Sequence, residues 1–168
     1  MNLDQYIRDI DNFPIEWIIF KDIAPLLSDP LAFKESIEQL AVHVKWATHI
    51  VWLDARGFIF GWALSYKLCI PFIPIRKAGK LPFDTISIDY DLEYGKNTFE
   101  IHTDALKSWD SAAIIDDLLA TWGTALAATQ LVEKLWASVH SVNFIVNLSF
   151  LNWVEKLNKY IINSLLKY

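Results

Sequence analysis

Ser111-Ala-Ala-Ile-Ile-Asp-Asp-Leu-Leu-Ala-Thr-Trp-Gly-Thr-Ala125 is a short apolar run that ends in two adjacent carboxylates, passes through small residues and enters a helix-forming segment at Thr124. Strand, loop and helix N-terminus in that order suit an anion. The first N–H groups of a helix have no partner within it and carry the positive end of its dipole, so a phosphate there satisfies them. Thr121 and Thr124 add hydroxyl donors. Asp116 and Asp117 do not belong beside a bare phosphate; ionised, they only accept hydrogen bonds, which suits the vicinal hydroxyls of a ribose. A sugar phosphate satisfies both halves of the stretch. An acidic strand end with Thr124 as a plain helix cap fits the same residues. A P-loop fits less well, since no Lys follows Gly123 in the pattern G-x-x-x-x-G-K-[ST].

Outward from this stretch the chain alternates strand and helix signals. Asp29-Pro30 predicts a helix start, an N-cap acceptor followed by proline at the first helical position. Phe33, Ile37, Leu40, Ala41 and Val44 then recur at helical spacing. His49 to Leu53 is a β-branched, apolar run suited to a central parallel strand. It leads into Asp54-Ala-Arg-Gly57 and a helix through Leu68, and loops after parallel strands are where α/β sheets place ligands. Arg56 there is a planar, permanently charged donor suited either to pyrophosphate or to a surface carboxylate. Pro71 to Arg76 reads as a further strand, and Arg76, Lys77 and Lys80 crowd a short loop that fits a polyanion or a solvated basic turn. Thr85 to Asp91 and Thr98 to His102 each alternate in polarity around Tyr94-Gly95, predicting a hairpin. Ala128, Leu131, Val132 and Leu135 predict a helix, Val139 to Leu148 a strand, Trp153 to Tyr160 a short helix and Ile161 to Leu166 a closing edge strand.

Several separate stretches, in order, resemble the type I phosphoribosyltransferases. They are Phe20-Lys-Asp-Ile-Ala-Pro-Leu-Leu27, Ala55-Arg-Gly-Phe-Ile-Phe-Gly61, Arg76-Lys-Ala-Gly-Lys-Leu-Pro82, Leu92-Glu-Tyr-Gly-Lys96 and Ile114 to Thr124, the last matching the family's phosphoribosyl-pyrophosphate signature. The resemblance runs from Ile7 to Tyr168. It implies an α/β fold, a central mostly parallel sheet flanked by helices, with a small hood at about 1–28 and a flexible flap at about 77–100. It further implies transfer of ribose 5-phosphate from phosphoribosyl pyrophosphate to N9 of adenine, giving AMP and pyrophosphate in purine salvage. A relative acting on xanthine or guanine, or an impaired phosphoribosyl-pyrophosphate-binding paralogue, is the alternative. Carried over residue by residue, Asp116 and Asp117 hold the ribose, and Ala120, Thr121, Trp122, Gly123 and Thr124 hold the 5-phosphate. Arg56, Lys77 and Lys80 face pyrophosphate, Ile19, Phe20 and Lys21 lie near adenine, and Tyr94 rides the flap with Glu93, the candidate general acid/base. Mg2+ bound mainly through the substrate and a homodimer are also implied.

Composition bounds the rest. The 168 residues fit one domain, 1–168, and 54% hydrophobic against 21% charged residues exclude a disordered chain. A net charge of −5 argues against nucleic acid as a partner. No leader and no membrane-length apolar run is visible, which predicts a cytoplasmic protein without a membrane partner. His43, His49, His102 and His140 are scattered, so no protein metal site is expected. Cys69 lies in an apolar segment, with burial as a small hydrophobe expected.

Eight Trp stand against five Gly. Trp17, Trp46, Trp52, Trp109, Trp122, Trp136 and Trp153 fall where the family pattern has glycine. Chance exchange would not repeat the same substitution between physical opposites. Two explanations fit: a Trp-rich lineage, or a codon read here as Trp and decoded as Gly in the source organism. A true Trp122 would crowd the phosphate loop.

Overall fold

The structure, a computed structural model, describes residues 1–92, 95–119, 122–149 and 157–168, and the side chains of all these except 91–96 and 122. A 3-10 turn, Leu3–Tyr6, precedes strands β1 (Arg8–Asp11) and β2 (Ile19–Asp22) and a short helix α1 (Ala24–Ser28). The body follows as α2 (Pro30–His43), β3 (His49–Leu53), α3 (Gly57–Leu68), β4 (Phe72–Lys77), β5 (Thr85–Leu92), β6 (Gly95–His102), β7 (Ser111–Leu119), α4 (Trp122–Lys134), β8 (Ser138–Asn147) and β9 (Ile162–Lys167).

Local chemistry sets these boundaries. The Asp29 carboxylate accepts from the Leu31 and Ala32 amides at 2.9 and 2.8 Å, so α2 begins at Pro30 as its sequence predicts. Strand β7 is buried along most of its length, which explains a continuous apolar run rather than an alternating one. Helix α4 begins at Trp122, two residues before the expected start at Thr124. Cys69 corrects its expectation: it is exposed and ends α3 in a left-handed conformation, φ 53°, because the chain must turn there toward β4. Trp153 and most of the helix expected at Trp153–Tyr160 lie outside the described residues.

Seven strands form one sheet in the order β5-β6-β4-β3-β7-β8-β9. The run β4-β3-β7-β8-β9 is parallel, and β6 joins β4 antiparallel. One apolar layer joins α2 and α3 to one face through Leu40, Phe60, Leu64, Ala113 and Ile115. On the other face α4 packs through Ala128, Leu131 and Val132, together with Phe99 and Ile101 of the β5–β6 hairpin. Strands β1 and β2 form a separate two-stranded sheet.

Strand order locates the site. From β3 the chain crosses through α3 to β4 on one side, and from β7 it crosses through α4 to β8 on the other. The direction of winding therefore switches between the adjacent strands β3 and β7. Both connections leave the carboxyl ends of those strands, and the crevice they open is where such sheets bind ligands.

Candidate active site

At that crevice a cleft of about 300 Å³ is lined by Asp54, Ala55, Arg56, Asp116, Asp117, Leu118 and Thr124. The loop 54–56 is pressed against β7. A Cβ on Gly57 would stand 2.8 Å from the Ile115 carbonyl oxygen and 3.0 Å from Asp116 Cα, so no side chain fits there without moving backbone. Glycine at 57 is thus what brings the β3 loop beside the β7 carboxylates.

The two carboxylates differ. The Asp117 amide donates to Asp116 Oδ1 at 2.9 Å. Asp117 is buried, and Arg56 Nε lies 2.8 Å from its Oδ2. That contact is an ion pair without hydrogen-bond alignment, so Oδ2 remains a buried acceptor with no hydrogen-bond donor. Burial, reinforced by the Asp117 charge, pushes the Asp116 carboxyl well above the ordinary carboxylate range. Burial also raises Asp117, while the Arg56 charge pulls it back. The pair holds a proton more tightly than free carboxylates do, and groups that donate hydrogen bonds or bring positive charge would relieve it.

The predicted pyrophosphate residues fall in different places. Arg56 is in the carboxylate cleft, and its guanidinium also stands 5.2 Å from the centre of the Phe20 ring. Lys80 lines an adjoining concavity of about 600 Å³ with Arg76, which pairs with Asp54 at 3.3 Å. The two concavities share Asp54 and Ala55. Lys77 is exposed and lines neither. Asp54 is not legible as a site residue from the sequence although it abuts Ala55-Arg56, because a carboxylate is not an obvious neighbour for an anion; its pairing with Arg76 forms only across two strands.

Above the cleft sits the hood. Arg8 faces Asp22 and Asp9 faces Lys21 across the β1–β2 ladder, with ion-pair distances of 2.6 and 2.7 Å. Ile19 is exposed, and Phe20 meets Phe13 edge-on at 5.2 Å. The Lys21 ammonium is committed to Asp9 and stands 3.8 Å over the Tyr168 ring, whose hydroxyl donates to Asp4 at 2.5 Å. Tyr168 was not legible as part of this assembly. Thr124 lies in the first turn of α4 and Gly123 beside it is buried. Glu93, Tyr94, Ala120 and Thr121 lie outside the described residues, as does the Trp122 side chain. The hairpin that would carry Glu93 and Tyr94 is paired from Thr85–His102 to Leu92–Gly95. A larger apolar concavity, about 690 Å³, lies on the outer side of α3 around Phe58, Trp62 and Tyr66; it lacks charged groups and does not suit a phosphate.

A switch-point cleft floored by paired carboxylates, with a helix N-terminus behind, a long hairpin at one edge and a separate hood, is the architecture of a type I phosphoribosyltransferase. No family model matches the chain. Adenine phosphoribosyltransferases of Carboxydothermus hydrogenoformans and Pseudothermotoga lettingae are each 49% identical to it over 170 aligned positions, covering 100% of both chains. The crystal structure of adenine phosphoribosyltransferase from Thermoanaerobacter pseudethanolicus superposes with a TM-score of 0.94 at 46% identity, covering 99% of this chain and 98% of that one. The chain belongs to the adenine phosphoribosyltransferase family.

Proposed function

We propose that this protein transfers ribose 5-phosphate from phosphoribosyl pyrophosphate to adenine, forming AMP and pyrophosphate in purine salvage. The observation that carries the reading is the Asp116–Asp117 pair near the end of β7, with Asp117 buried and Asp116 half-buried, opening on the same cleft as Arg56 and the first turn of α4. The Saccharomyces cerevisiae adenine phosphoribosyltransferase, 37% identical with a TM-score of 0.91, has been solved with adenine and an imino-altritol bisphosphate, a combination that suits a two-part site.

Departure of pyrophosphate builds positive charge on the sugar ring and negative charge on the leaving group. Asp116 and Asp117 accept from the ribose hydroxyls, which fixes the C1 carbon against the base and fills the acceptor left open at Asp117 Oδ2. Residues 120–124 hold the 5-phosphate at the start of α4. Arg56, Arg76 and Lys80 stand on the side where the pyrophosphate charge develops, with Lys77 able to reach it only from the exposed loop. The hood offers extended backbone at Ile19 to Lys21 for the base edge and the Phe20 ring for its face. Glu93 on the hairpin is the candidate acid/base at the purine, and Tyr94 beside it completes the cover that excludes water.

Among the described residues no group of three His, Cys, Asp or Glu side chains is placed to hold a metal. Two hard carboxylate oxygens beside the cleft instead suit Mg2+ carried by the substrate's own oxygens, which when bound would neutralise charge on the leaving pyrophosphate. The apolar outer face of α3, where Trp62 and Tyr66 are exposed, is where a second copy would dock in a homodimer. Among the described residues no helix is long and apolar enough to cross a membrane.

A purine panel with phosphoribosyl pyrophosphate tests the reading: AMP formation from adenine is expected, and turnover of guanine or xanthine in preference would overturn the specificity. A Glu93→Gln enzyme with near-normal turnover would remove Glu93 from the chemistry.

A further inference from the structure

The repeated Trp residues were left unabsorbed by the fold and the site, and their backbone settings differ from what an indole requires. Among the described residues, four non-glycine positions have positive φ, and two of them are Trp17 at 71° and Trp136 at 67°. A bulky L-residue is strained there, whereas glycine enters freely. Trp136 directly follows the last turn of α4, with its amide donating to the Glu133 carbonyl at 2.9 Å, the C-terminal position that glycine characteristically fills. Trp17 closes the turn between β1 and β2, its amide bonded to Asn12 Oδ1 at 2.9 Å.

Exposure points the same way. Trp17, Trp46, Trp109 and Trp136 are 88, 77, 78 and 83% exposed, all in turns, although Trp is highly buried on average. These indoles do not pack into the core; their backbones turn. Trp52 is the reverse case: it is buried in β3 with its Nε1 lacking a hydrogen-bond partner, although a buried indole N–H ordinarily finds one. Gly61 is crowded by it, since a Cβ there would stand 2.9 Å from Trp52 Cβ. Trp62 differs from all of these. It lies inside α3 and packs against Phe58 and Phe72, a setting in which an aromatic side chain is used.

We infer that residues 17, 46, 52, 109, 122, 136 and 153 are glycine in the protein its own cell makes, one codon being decoded there as glycine rather than tryptophan. The consequence for the site is direct: the segment entering α4 becomes Ala-Thr-Gly-Gly-Thr at 120–124, a sequence without an indole. The inference is independent of which purine the enzyme uses: it rests on backbone conformation at 17 and 136, on exposure in turns there and at 46 and 109, on the unpartnered buried indole at 52, and at 122 and 153 on the resemblance to the family pattern.

Peptide mass spectrometry of the protein from its native cells decides it, over the fragments containing residues 122 and 136. Glycine at both is expected; tryptophan at either overturns a single-codon explanation. A second measurement compares the chain as written with a variant carrying glycine at all seven positions, both made from genes that specify each Trp and Gly by its standard codon. The seven-glycine chain is expected to melt at higher temperature and to bind phosphoribosyl pyrophosphate at least tenfold more tightly. Equal melting and equal affinity would overturn the argument from backbone conformation and the consequence drawn for the phosphate loop. Glycine in the native peptides together with a seven-glycine chain that forms no AMP would instead overturn the transferase reading and leave the decoding intact.

Discussion

Asp117 stands near the end of a central strand with parallel neighbours on both sides, while Lys21 stands on a two-stranded sheet in which two of the facing pairs are ion pairs, each with one partner, Arg8 or Asp9, open to water. The floor is held by burial. Ile114 and Ile115 are fully buried in β7, and Gly57 locks the β3 loop onto that strand by close backbone approach. The hood is held by attachment. A two-stranded sheet is marginal alone, and exposed ion pairs contribute at most about 1 kcal/mol each. Its position depends on Leu3 and Ile23 in the core, on the Arg56–Phe20 contact, and on Tyr168, which touches Lys21 and Asp4 together. A rigid floor suits the phosphates and ribose, which every turnover presents identically, and a conditionally placed hood suits admission and release of a planar base.

The sharpest way to break this contrast is at Asp117. Asp117→Ala should lower kcat/KM for phosphoribosyl pyrophosphate by roughly 100-fold, the loss of a charge-assisted hydrogen bond of about 2–3 kcal/mol, and leaves Arg56 unpaired. A change confined to the adenine KM would place Asp117 in the wrong half of the site. The neighbouring Asp116 predicts a pH dependence. Its carboxyl is raised above 3.8 in the folded protein, so between that value and the raised one the folded state binds more protons than the unfolded state. Stability therefore falls as pH rises through this window and is level above it, a slope that Asp116→Asn should lessen in denaturant titrations, the remainder coming from Asp117. Binding of ribose hydroxyls favours the ionised pair, so substrate binding should release a proton, measurable by calorimetry in buffers of different ionisation heat.

Next in size is Gly57→Ala, expected to cost about 1–3 kcal/mol of stability through overpacking against Ile115 and Asp116. An unchanged unfolding midpoint would mean the loop is not locked to β7. In the hood, Tyr168→Phe removes one hydrogen bond, about 1 kcal/mol, and should raise the adenine KM several-fold while leaving that for phosphoribosyl pyrophosphate unchanged. Equal rises in both would show that Tyr168 supports the whole fold rather than the hood. Smallest of all, Arg8→Ala should shift stability by less than about 1 kcal/mol, since its ion pair with Asp22 is solvated; a larger loss would mean that surface pairing, not attachment, holds the hood.

Much of this organisation is legible in the sequence. The run His49 to Leu53 became β3 with those bounds, Asp29-Pro30 started a helix as its capping chemistry requires, and the carboxylates before Leu118 fell at the end of a buried strand. These signals are local: side-chain period, capping and turn chemistry act within a few residues. Cys69 escaped the same logic because its apolar surroundings suggested burial, whereas the helix end there needed a left-handed residue whatever its side chain.

By itself, then, the sequence determined the alternation of strands and helices, the adjacency of two carboxylates to a helix start, and the recurrence of Trp where the family pattern has glycine. Only the tertiary structure decided that Arg56 turns toward Asp117 and Phe20, that Arg76 is paired with Asp54 rather than free, and that Tyr168 reaches the hood across 164 residues of chain from Asp4. The reason is physical: such contacts join segments far apart in the chain, and their partners are chosen by how the sheet stacks its strands, which no short-range pattern encodes.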